Sequence, residues 1–206
     1  MKEPTSASSS RSGFSRRKFL QGSGAAAAAS VLATTGAEAI ADDRGAEVIQ
    51  GQTTITLNVN GQPRTVEVEP RTTLLDVLRY QLDLTGAKPV SNDGSSGAST
   101  VLIDGRPMMA STLLALAVRD KQIETVESVA SRNSGAIPKA FAEHDAQQCG
   151  FCTPGFVVAV RAFLDKNPTA SEAEIRAGLN GNLCRCGTYA NVIPAVMAMV
   201  KGGGRG

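Results

Sequence analysis

With 206 residues, 42% of them apolar and 19% charged, the chain has the length and composition of one or two globular domains plus any tail. Its formal charge of +2 belongs to the N-terminus: residues 1–39 carry Lys2, Arg11, Arg16, Arg17 and Lys18 against Glu3 and Glu38, which leaves 16 basic and 17 acidic residues beyond them. A near-neutral body with two Tyr, six Phe and no Trp lacks both the basic footprint and the stacking platform of a nucleic-acid binder.

In chain order, residues 1–39 come first and read as a targeting segment. Ser15-Arg16-Arg17-Lys18-Phe19-Leu20 precedes a mild apolar run from Gly22 to Ala33, and Ala37-Glu38-Ala39 offers the small residues of a cleavage site. The run is too short and too weakly apolar to span a bilayer stably. The arrangement resembles a twin-arginine signal, which implies a periplasmic destination and passage across the membrane in the folded state. That route suits a protein whose cofactor is inserted in the cytoplasm.

A polar linker over 40–52 leads into a first domain over 53–130. Ile55, Leu57 and Val59 alternate with polar residues, Asn60-Gly61 is a hairpin turn signal, and Val66 and Val68 continue on a return strand. Thr73 with Asp76 makes a capping-box-like start to a helix with Leu74, Leu78 and Leu82 at one-turn spacing, placed to cover the sheet. Val101-Leu102-Ile103 before Asp104-Gly105, then Leu113 to Val118 and Ile123 to Val126, are expected as further short strands. The fold class is α+β, with this first domain of the β-grasp kind.

The Ser131–Ile137 stretch breaks the composition, and from Pro138 the apolar period changes from two to about 3.6. Pro138 is expected to begin a short helix ending near His144. Thr153 caps a second with Pro154 at its first position and Val157, Val160 and Leu164 as its stripe. Ser171 with Glu174 starts a third, stopped near Gly181, and Val192, Val196 and Val200 mark a fourth. Residues 131–201 thus read as an all-α four-helix domain, with 202–206 as a flexible tail. His144, the single histidine, reads as a cap, and Met197 and Met199 as core filler. The Ser91–Ser99 run lacks the Gly-Lys-Ser ending of a phosphate loop.

All four cysteines fall in the loops of this second domain, as Cys149-Gly-Phe-Cys152 and Cys184-Arg-Cys186. Two such pairs can converge on one metal centre when two loops meet. Disulfides are compatible with an oxidising compartment, although Cys184 and Cys186 could bridge each other only with strain. Zinc also takes four thiolates, usually with two or more residues between paired ligands. A [2Fe-2S] core is a buried anion that needs donors and positive potential. Those are at hand: Cys152 precedes one helix start, Cys186 lies just before another, Arg185 stands between two cysteines, and Gly150, Gly155 and Gly187 allow close backbone approach.

Gln148-Cys149-Gly150-Phe151-Cys152-Thr153-Pro154-Gly155 and Gly181-Asn182-Leu183-Cys184-Arg185-Cys186-Gly187-Thr188-Tyr189 resemble the paired signatures of the iron–sulfur subunit of the molybdenum hydroxylases, the xanthine dehydrogenase and aldehyde oxidoreductase family. The resemblance covers about residues 53–201. It implies a plant-ferredoxin-like N-terminal domain and a helical C-terminal domain. One [2Fe-2S] cluster on Cys149, Cys152, Cys184 and Cys186 then faces the molybdopterin of a separate large subunit. By the same resemblance Gln148 and Cys186 lie against the pterin. The run from Cys184 to Tyr189 is more similar to exported aldehyde-oxidising and isoquinoline-oxidising members than to xanthine dehydrogenase itself.

One departure stands out. Family members carry a second cluster in the ferredoxin-like domain on a C-x4-C-x2-C pattern with a more distant Cys. Here Ser91, Ser96, Ser99 and Ser111 occupy that spacing. A hydroxyl gives up its proton far less readily than a thiol, so four serines are expected to hold no cluster. The expectation is an electron relay of an exported molybdenum-dependent aldehyde or N-heterocycle oxidoreductase. It has one cluster, no bond chemistry of its own, and a different acceptor such as a cytochrome c. The rival is a zinc- or disulfide-stabilised module that scaffolds a partner.

Overall fold

The alternating stretch at 53–68 forms a hairpin because Asn60 and Gly61 take the left-handed conformations, φ 54° and 77°, that a tight turn between twisted strands requires. In this computed structural model, which describes residues 48–202, β1 (Thr53–Val59) and β2 (Gln62–Val68) pair antiparallel from Val59 opposite Gln62 to Thr53 opposite Val68. The predicted targeting segment, nearly all of the linker and the tail beyond Gly202 lie outside the described residues. Ile55, Leu57, Val59, Val66 and Val68 are buried, so both strands put their apolar face on the same core.

The sheet is completed by β3 (Thr100–Ile103), β4 (Arg106–Met109) and β5 (Gln122–Glu124), in the order β2-β1-β5-β3-β4, with β1 and β5 parallel. A short helix α1 (Leu74–Asp76), capped by Thr73 Oγ1 accepting the Asp76 N–H, runs into a wider π-helical turn at Val77–Gln81. The widened turn buries Val77 and Leu78 together and lets the Gln81 amide exchange two hydrogen bonds with the backbone of Glu67, satisfying part of the β2 edge.

Two of the expected strands differ. Within Leu113–Val118 a single bridge joins Leu114 to Thr73, after which Ala115–Val118 closes into a 3-10 turn. Most of this run is Leu and Ala, without the β-branched side chains that favour an extended backbone. The strand at Ile123 stops at Glu124, because Thr125 exchanges hydrogen bonds with the Asn60 side chain and Val126 opens a helix.

The later half consists of α2 (Val126–Val129), a 3-10 turn at Arg132–Gly135, α3 (Ala136–Glu143), α4 (Thr153–Lys166), α5 (Glu172–Gly178) and α6 (Tyr189–Lys201). Three boundaries move from their expected places. Left-handed Gly135 starts α3 two residues before Pro138, which a helix tolerates in its first turn. Cys152 is the N-cap of α4, with its carbonyl accepting the Phe156 N–H, so Thr153 is the first helical residue. The capping box of Ser171 and Glu174 forms as expected, yet α5 ends at Gly178 rather than near Gly181.

Two hydrophobic clusters result, and β3 is the wall between them. Val101 and Ile103 face the sheet-and-α1 cluster, while Leu102, 2% exposed, faces the helical cluster with Phe156, Val160 and Val196. The period of two along a strand buried on both sides therefore joins the halves within one compact unit that begins at Ile49.

Candidate metal centre

The loop between α3 and α4 carries Cys149 and Cys152, and the loop between α5 and α6 carries Cys184 and Cys186. All four thiols are free, and they line one cavity of about 450 Å³. Cys184 is buried, Cys152 half-buried, and Cys149 and Cys186 exposed. The sulfurs stand as two pairs drawn one from each loop. Cys149 Sγ and Cys186 Sγ are 3.5 Å apart, and Cys152 and Cys184 lie close enough for each to shift the other's thiol pKa. Two pairs of soft thiolate donors suit a two-iron core, two ligands to each iron, better than the single tetrahedral point that zinc requires.

Ionising all four thiols is opposed by their own surroundings. Burial first, and then the neighbouring Cys184, push the Cys152 thiol up to about 12. Burial also works against the Cys184 thiolate. Hydrogen bonds from the Thr188 hydroxyl and N–H, the Cys152 thiol and the Cys186 N–H outweigh it and bring Cys184 down to about 7. The Cys149 amide favours the Cys186 thiolate, but the adjacent Cys149 thiol and the Cys184 charge turn the net shift upward. Four thiolates this close ionise together only around a positive centre.

The first half of the chain braces the Cys184 loop. The Leu183 N–H donates to Ser96 O (2.9 Å), and buried Asn182 Nδ2 donates to Gly97 O (2.9 Å). The Tyr189 hydroxyl accepts the Cys184 N–H (2.6 Å), donates to Asn182 O (3.2 Å), and its ring meets Phe156 edge-on at 5.8 Å. Gly155 sits where this loop, α4 and the Gly97 carbonyl meet, and a Cβ there would lie 2.4 Å from Gly97 O. On the rim, Val90, Phe151 and Leu183 are exposed, with Lys88 Nζ 5.7 Å from the Phe151 ring centroid.

The four serines form two hydroxyl pairs. Ser91 Oγ and Ser96 Oγ are 2.9 Å apart, and Ser99 Oγ donates to Ser111 Oγ at 3.0 Å. Ser99 and Ser111 are buried, and the Ser111 N–H also donates to Ser99 Oγ. The hydroxyls thus satisfy one another.

Of the other residues singled out in the sequence, Gln148 and Arg185 are both exposed, and Arg185 lines the cavity beside Cys184 and Cys186. His144 is the C-cap of α3, its Nδ1 3.0 Å from Ala140 O, and Met197 and Met199 pack against the helical core. Asn182, Thr188 and Tyr189 were expected only as parts of a signature. The signal in the sequence that could have found Thr188 is its spacing, four residues after Cys184.

Residues 125–197 match the family model described as a [2Fe-2S] binding domain. The chain is 40% identical over 149 residues to the nicotinate dehydrogenase small FeS subunit of Eubacterium barkeri, spanning 72% of this chain and 95% of that one. It is 36% identical over 202 residues to the aldehyde oxidoreductase iron-sulfur-binding subunit PaoA of Escherichia coli (strain K12), spanning 89% and 86%. Among solved structures, quinoline 2-oxidoreductase from Pseudomonas putida 86 superposes with a TM-score of 0.67 at 40% identity, over 74% of this chain and 98% of that one. The chain belongs to the family of small iron–sulfur subunits of the molybdenum hydroxylases. It is the iron–sulfur subunit of a molybdenum-dependent oxidoreductase. Among the described residues no helix is long and apolar enough to cross a membrane.

Proposed function

We propose that this chain relays electrons, one at a time, from a molybdopterin centre on a large partner subunit through a single [2Fe-2S] cluster. The observation that carries the proposal is the convergence of four free thiols from two loops on one cavity, with Cys149 Sγ 3.5 Å from Cys186 Sγ. Cys149 and Cys186 would hold one iron, and Cys152 and Cys184 the other. When bound, the cluster supplies a one-electron store.

The chain's own residues do the rest. Asn182 and Tyr189 hold the Cys184 loop, and Arg185 and the α4 and α6 N-termini offset the negative charge. Gln148 and Cys186, both exposed, would face the pterin. Residues 53–130 act as a ferredoxin-like β-grasp domain that has lost its cluster, and 131–201 as a four-helix cluster domain. With hydroxyl pairs where a second cluster would sit, electrons leave near the first, to an acceptor such as an exported cytochrome c.

The relatives' names favour an aldehyde or an N-heterocycle as the partner's substrate. Arg16-Arg17 and the apolar run after them support twin-arginine export to the periplasm. Iron and acid-labile sulfide analysis of the purified complex tests the reading. About two irons per chain, one [2Fe-2S] paramagnetic signal on reduction and no bound flavin are expected. Stoichiometric zinc without iron ends the relay, and two cluster signals end the serine argument.

A further inference from the structure

Thr188 is 4% exposed and occupies the N-cap of α6, a position where threonine normally accepts a hydrogen bond from a helix amide. Here its backbone is right-handed helical, φ −65° and ψ −1°, and the side chain makes no capping bond. Instead the hydroxyl donates to Cys184 Sγ at 2.9 Å. The turn before it sets this up: Gly187, at φ 78°, donates its N–H to Cys184 O at 3.3 Å and brings residue 188 back over the sulfur. The sulfur's own residue is held from the other side, because the Cys184 N–H donates to Tyr189 Oη.

We propose that the Thr188 hydroxyl sets the reduction potential of the cluster by donating to a ligand sulfur. The inference rests on the reading that the four cysteines hold a [2Fe-2S] cluster. Reduction adds one electron to a core whose charge is shared with its sulfurs, so a donor aimed at a sulfur favours the reduced state and raises the potential. The hydroxyl is neutral and buried, so water does not replace it when it is removed. Thr188 is a positioning residue: it acts on the cluster through Cys184.

The test is a redox titration of the intact complex followed by the cluster's paramagnetic signal. Thr188→Val keeps the shape and removes the donor, whereas Thr188→Ser keeps the donor. In Thr188→Val the reduced-to-oxidised ratio at fixed ambient potential is expected to fall about tenfold, or about 59 mV for a one-electron couple. Thr188→Ser is expected to stay within about threefold of the native protein, less than half that shift on the same logarithmic scale. An unchanged potential in a fully loaded Thr188→Val overturns the inference, as does a Thr188→Ser shift as large as that of Thr188→Val. Thr188→Ala repeats the test without the second valine methyl, and a native potential there overturns it equally. A native complex without iron would instead refute the cluster reading itself, so the two failures are distinguishable.

Discussion

Replacing Gly155 by alanine probes the junction through which the first half of the chain supports the Cys184 loop. On helix propensity alone the change should stabilise α4 by up to about 1 kcal/mol. The added Cβ, however, would stand 2.4 Å from Gly97 O, 3.1 Å from Asn182 Nδ2 and 3.2 Å from Ala98 Cα. Two of these neighbours are backbone and cannot swing aside. Overpacking of this kind costs about 1–3 kcal/mol. Pushing Gly97 O away also strips Asn182 Nδ2 of a buried acceptor, for another ~1–3 kcal/mol. After the propensity gain the net is a loss of about 3 kcal/mol, taking central values. For a chain of this size that is a fall of roughly 6–12 °C in Tm. Thermal unfolding of the complex, followed by far-ultraviolet circular dichroism and by the visible absorbance of the cluster, measures it. The cluster signal should be lost first, because the strain falls on the loop that carries Cys184. A Tm equal to or above that of the native protein would refute the argument from close approach.

Cys184→Ala should reduce iron from about two per chain to near zero and abolish the visible spectrum, while the sheet half stays folded; an unchanged spectrum would contradict the ligand assignment. Ser99→Ala removes one member of a buried hydroxyl pair and should cost about 1–3 kcal/mol with no change in iron content. Loss of iron in that variant, measured by metal analysis, would mean that the serines bind metal after all. Changing Arg16 and Arg17 together to Lys should leave the precursor in the cytoplasm, as cell fractionation would show; normal export would place the address elsewhere.

Several features are legible in the sequence because their chemistry is local. Asn60-Gly61 needs only its own backbone preference to close a hairpin, and Ser171 needs only Glu174 three residues on to cap α5. The cysteine loops were legible because their spacing and flanking residues form long signatures. Leu113–Val118 was misread because its apolar residues carry no period that separates a strand from a buried turn. The α4 start was misplaced by one residue because Thr153 has the right chemistry for a cap, while the tertiary position of Cys152 decides which residue fills that role. The π-helical turn at Val77–Gln81 depends on a bond to β2 that no helical periodicity records.

From the sequence by itself came the residue types, the two-plus-two grouping of the cysteines, the serines at 91, 96, 99 and 111, and the family. Those properties reside in single residues and short spacings, which survive without a fold. Only the tertiary structure decided that Cys149 Sγ meets Cys186 Sγ and that Cys152 and Cys184 line the same cavity, since these residues come from loops more than thirty residues apart. It also decided that the serines satisfy one another two by two, and that β3 turns Leu102 toward the helices and its neighbours toward the sheet core. The Thr188 hydroxyl reaches a sulfur because a left-handed glycine and the docking of α6 place it there. The physical reason is the same in each case: a hydrogen bond or a sulfur–sulfur approach acts over about 3 Å, and only the folded chain brings such distant atoms that close.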